Sequence, residues 1–83
     1  MRSSASVKAD LHALRVKANR EYPHQLQLGK GAGPRPEKMS KSVWGNFMRY
    51  PTDTHNIWCF TSKIKAERFQ RLYGGSSYID RNR

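Results

Sequence analysis

The stretch from Asn56 to Gly75, NIWCFTSKIKAERFQRLYGG, constrains the fold more than any other part of the chain. Ile57, Trp58, Cys59 and Phe60 are a β-branched and aromatic run, the composition of a strand buried on both faces. Thr61 or Ser62 then offers a hydroxyl to the free N–H groups of a first helical turn. Ala66, Phe69 and Tyr73 recur at i, i+3 and i+7 with Leu72 beside them, which predicts a helix with one apolar face. Gly74-Gly75 can adopt the left-handed conformation that ends a helix.

Upstream, Ser42 to Tyr50 (SVWGNFMRY) alternates loosely and reads as a strand, although Val43, Trp44, Phe47 and Met48 also suit a short helix. Pro51-Thr52-Asp53-Thr54 is a turn signal, so this segment and the Ile57 strand form an antiparallel hairpin. Ser76 to Asp80 offers a third short strand through Tyr78 and Ile79. Near the N-terminus, Val7, Leu11, Leu14, Ala18 and Tyr22 lie in one narrow helical stripe, with Lys8, His12, Arg15 and Asn19 beside it. Pro23 ends that helix, because a residue before proline avoids the helical region.

Residues 23–41, PHQLQLGKGAGPRPEKMSK, carry Gly29, Gly31, Gly33, Pro34 and Pro36, and are expected to form neither helix nor central strand. Such a segment is mobile in water unless a partner orders it. The fold class that follows is α+β. An N-terminal amphipathic helix (1–22) leads through a long basic Gly/Pro-rich extended loop (23–41) to a small β-β-α(-β) unit with an antiparallel hairpin (42–80). A basic tail (81–83) follows. The helix should cover one face of the hairpin. The other face, showing some of Trp44, Met48, Tyr50, Trp58 and Phe60, must meet the first helix, a partner or stacked bases.

Eighty-three residues allow one domain and one small core. Sixteen Lys and Arg against six Asp and Glu give a formal charge of +10, which concentrates polyanions around the chain. Five of the sixteen lie in residues 1–20 and six in 61–83, so the charge sits largely on the ends. The candidate nucleic-acid contacts are Lys8, Arg15, Lys30, Arg35, Lys38, Lys41, Arg68, Arg71, Arg81 and Arg83. In Gly29-Lys30-Gly31-Ala32-Gly33 the missing side chains permit close approach to an RNA phosphate. A nucleotide-binding phosphate loop is not expected there, since Gln-Leu-Gln-Leu precedes it and Pro-Arg-Pro follows it.

Residues 38–42, Lys-Met-Ser-Lys-Ser, resemble the signature loop of class I aminoacyl-tRNA synthetases, whose lysines stabilise the ATP phosphates. The resemblance covers about ten residues of 83. The His-x-Gly-His signature and the length of that family's dinucleotide-type fold are both absent, so no catalytic role is carried over. The six acids are scattered and His12, His24 and His55 show no ligand spacing, so no catalytic residue, metal site or cofactor is expected. Cys59, the single cysteine, reads as a small buried hydrophobe. Neither a transmembrane helix nor a secretory signal fits. The Arg-, Ser- and Ala-rich N-terminus overlaps in composition with mitochondrial targeting peptides, against which Asp10 and Glu21 count.

These features lead to the expectation of a non-enzymatic, structural RNA-contacting subunit of a large ribonucleoprotein, with a ribosome, organellar included, as the leading candidate. Its partners would be RNA, rRNA foremost, and neighbouring protein subunits, with DNA an alternative. A phage- or plasmid-type regulatory protein that binds DNA or inhibits a host enzyme is the second reading. An accessory subunit of a respiratory or other non-RNA assembly is the third.

Overall fold

The computed structural model describes residues 4–79, with side chains from residue 11 onward. In chain order it contains α1 (Ser4–Glu21), β1 (His24–Gly29), a 3-10 turn (Pro36–Lys38), α2 (Lys41–Trp44), β2 (Phe47–Pro51), β3 (His55–Phe60), α3 (Lys63–Tyr73) and β4 (Ser76–Ser77). The four strands form one antiparallel sheet in the order β2-β3-β1-β4. The fold is α+β, with the β2–β3 hairpin in place.

β3 organises the sheet because alternation sends its side chains to two separate cores. Trp58 and Phe60 meet Leu26, Leu28, Met39, Trp44, Ala66 and Phe69 on the side covered by α3. Ile57 and Cys59 meet Tyr50 and Ala18 on the side covered by α1, with Tyr22, Met48 and Tyr78 packed at the margin. All four residues from Ile57 to Phe60 are fully buried, as expected of a strand covered on both faces. Trp44, Tyr50, Trp58 and Phe60 are therefore core residues, and neither face of the sheet is left open for stacked bases.

α3 begins where Ser62 Oγ accepts the Lys65 N–H at 3.4 Å, and ends at Gly74, φ +83°, whose N–H donates to Gln70 O at 2.8 Å. Ala66 and Phe69 are buried, while Tyr73 and Leu72 at the end of the helix are exposed. Gly75 does more than stop the helix. Its φ is +94°, and a Cβ there would lie 2.5 Å from Leu28 Cδ1 and 2.9 Å from Gln27 O. Gly74 has a similar φ but open space around it. Gly75→Ala should therefore cost about 1–3 kcal/mol, clearly more than Gly74→Ala, which bears backbone strain alone. Urea midpoints compare the two; equal losses would show that the contact with β1 is slack.

The sequence placed residues 23–41 in a loop, and the structure corrects this. His24–Gly29 is an interior strand, paired with β3 over its whole length and with β4 at Leu26 and Gln27. Leu26 and Leu28 face α3, and Gln25 faces α1, where it is buried. Its Nε2 donates to Asn19 Oδ1 at 3.2 Å and to Tyr22 O at 3.0 Å, both at the end of α1. A buried glutamine is tolerable in a central strand when a helix terminus supplies its acceptors. The rest of the segment folds over the α3 side, with Met39 buried and Gly33 against Trp58.

Ser42 to Tyr50 holds both elements that the sequence offered as alternatives. A single helical turn seats Trp44 in the core, Gly45 at φ +70° reverses the chain, and β2 begins at Phe47. The third strand is only Ser76–Ser77 and joins β1 rather than the hairpin. Asp80, the end of its expected span, lies outside the described residues. Of the apolar stripe on α1, the Val7 side chain lies outside those described, and the described part is buried towards its C-terminal end. Ala18 is fully buried and Tyr22 half-buried, whereas Leu11 and Leu14 are exposed.

Candidate nucleic-acid interface

Twelve Lys and Arg side chains are described, and their distribution is uneven. Arg15, Lys17 and Arg20 lie on α1. Five lie between residues 30 and 49, and four on α3. The last two groups share the Trp58–Phe60 side of the sheet, because α3 and the segment holding Met39 and Trp44 pack into the same core. Only Glu37 and Glu67 belong to those elements. Glu67 is 4.0 Å from Lys63 Nζ in an exposed i,i+4 pair, which removes little of the field.

Of the residues proposed from sequence, Lys30, Arg35, Lys38, Lys41, Arg68 and Arg71 are exposed and lie on this side. Arg15 is half-buried on α1, across the sheet from them. The side chain of Lys8, and Arg81 and Arg83, lie outside the described residues. Arg49 was missed. Its guanidinium carbon is 5.3 Å from the centroid of the Trp58 ring, which it faces across the β2–β3 pair. Strand parity carried the signal, because Arg49 shares a face with Phe47. Lys63 and Lys65 were also overlooked; they follow from the first turn of the helix.

Flat, exposed cations on a helix and a loop are suited to phosphates, which need charge and hydrogen-bond donors but no deep pocket. Beside them α3 exposes Ile64 and Leu72, at 69% and 63%, spaced four residues either side of Arg68. On the α1 side, a cavity of about 310 Å³ is lined by Leu11, His12, Arg15, Tyr50 and Asp53 among others.

Cys59 is buried, and burial pushes its thiol from the ordinary 9.0 up to about 12. The S–H donates to Ile57 O at 3.7 Å, while His55 Nδ1 is engaged by Thr54 Oγ1 at 2.7 Å. The thiol is thus protonated and shielded at neutral pH. Iodoacetamide should label the native chain far more slowly than the urea-unfolded chain. Above pH 9.0 the unfolded chain ionises this thiol while the folded chain keeps the proton to about 12. Its contribution to stability is whole below the lower value and is lost as pH rises between the two. The urea-midpoint gap between wild type and Cys59→Ala should narrow from about pH 8 to about pH 10.5.

Among the described residues, no three His, Cys, Asp or Glu side chains lie close enough to hold a metal ion. No helix among them is long and apolar enough to cross a membrane. Comparison with family models, curated proteins and solved structures found no match to this chain.

Proposed function

We propose that this chain is a non-enzymatic RNA-contacting protein that serves as a structural subunit of a ribonucleoprotein, with a ribosome, organellar included, as the leading assembly. One observation carries the reading: nine of the twelve described cations lie on the side of the sheet covered by α3 and the 30–45 segment, against two carboxylates. A field of one sign over a surface of this size attracts a polyanion at long range. Because both sheet faces are covered, the contact runs through phosphates and not through bases stacked on strands.

The same one-sidedness favours a second reading, a free-standing regulatory binder of nucleic acid of the phage or plasmid type. Size-exclusion chromatography of native extract, with and without RNase, separates the two. A subunit elutes in a large particle that RNase dismantles. Elution near the monomer position in both runs would overturn the subunit reading and leave the small binder. A large particle indifferent to RNase would overturn RNA as the partner and point to a protein assembly.

A further inference from the structure

We infer that the loop from Gly29 to Glu37, together with the Arg49 guanidinium, forms a discrete binding site for one phosphate group. On the RNA-contacting reading, on which its identity rests, the ligand is a phosphodiester of the RNA backbone. The sequence lacked two requirements of a nucleotide phosphate loop, a buried strand in front of it and a helix behind it; β1 supplies the strand, while only the short 3-10 turn Pro36–Lys38 follows. A cavity of about 290 Å³ follows, walled by Gly31 to Glu37 and by Arg49 from β2.

Three features suit this cavity to an anion. Gly31 at φ +89° and Gly33 at φ +87° flank Ala32, whose φ is negative, so the backbone changes hand at each step, as it must in the turns that gather N–H groups around an anion. The Ala32 N–H closes the turn on Gly29 O at 3.0 Å, whereas the N–H groups of Gly31, Gly33 and Arg35 have no protein acceptor among the described residues. Arg49 is positioned in advance, because its guanidinium lies over Trp58 and its backbone is fixed in a strand.

Trp58 also holds the loop in shape. A Cβ on Gly33 would lie 3.1 Å from Trp58 Cζ2 and 3.3 Å from Leu28 Cδ2, and its φ of +87° favours glycine, so a side chain there would press on the core. The same approach reaches Cε2 at 3.4 Å, the atom bonded to the buried indole nitrogen. That N–H has no hydrogen-bond partner among the described residues. Glu37 is the one carboxylate on the cavity wall, and it opposes an anion.

The test is a titration of the 15N-labelled full chain with inorganic phosphate, read from backbone amide shifts, and then with a short uridine oligoribonucleotide. The amides of Gly31, Gly33 and Arg35 should move saturably in both. Arg49→Gln should weaken phosphate binding roughly fivefold, and Glu37→Gln should strengthen it by a similar factor, with melting temperatures little changed. Unmoved amides at these three positions, or two variants that leave the phosphate titration unaltered, would overturn the site. RNA binding with the three amides unmoved would sink the site and leave the RNA-contacting reading standing. Saturable phosphate shifts without RNA binding would keep the site and overturn its assignment to RNA.

Discussion

Phe69→Ala is expected to unfold the domain. The Phe69 ring is fully buried, with ring centroids at 4.9 Å from Trp58, 5.2 Å from Phe60, 5.6 Å from Trp44 and 4.8 Å from Tyr73. It therefore joins β3, α2 and α3 in one aromatic cluster. Truncation should cost about 3–5 kcal/mol, the sum of lost transfer energy and an unfilled cavity. A domain this small has a total stability near the low end of about 5–15 kcal/mol, so most of it disappears. Phe69→Leu keeps much of the volume and should lose less. Thermal melts followed by near-ultraviolet dichroism, which reports the packed tryptophans, measure both variants. A melting temperature unchanged by the alanine would show that the cluster is not the core.

The second large effect is electrostatic. If about six phosphates are neutralised on single-stranded RNA, the slope of log K against log salt is about −4. Raising salt from about 50 to about 200 mM then weakens binding by roughly 300-fold. Lys30, Arg35, Lys38 and Lys41 changed together to Gln should remove much of that slope. All four side chains are exposed, so the melting temperature should barely move. Arg68→Gln with Arg71→Gln tests the helix separately. A slope near zero in the wild type would rule out an electrostatic mode.

The parts of the fold legible in the sequence were those where one local pattern decided the structure. The run Ile57 to Phe60 had no polar residue to spoil it, and the 66/69 spacing with Gly74-Gly75 left a helix as the only economical solution. β1 was hidden because its apolar content is two leucines separated by glutamine. The Nε2 group of Gln25 finds its acceptors on Asn19 and Tyr22, and that pairing exists only once α1 has docked. The sequence read the Ile57 strand as buried on both faces but left open what covers the second face, for the same reason. Without β1, Trp58 and Phe60 lacked the two leucines that share their core, Leu26 opposite Trp58 and Leu28 on the same face. Six of the proposed cations share one side of the sheet, yet their grouping depends on Met39 and Trp44 carrying the loop into the α3 core. Arg49 could have been found from parity alone.

The strand order has a kinetic consequence. β2, β3 and α3 are neighbours in the chain and can assemble through local contacts. β1 must wait for partners encoded far downstream, and β4, the last strand made, pairs with it rather than with the hairpin. Closing the sheet therefore requires a large loop to form before its contacts repay it, which slows folding. While it waits, β1 is an unpaired strand exposed to other chains. Its apolar content, two leucines among glutamines, is lower in hydrophobicity and β-propensity than a β-branched run such as β3 would be in the same place, which makes it a weaker template for aggregation.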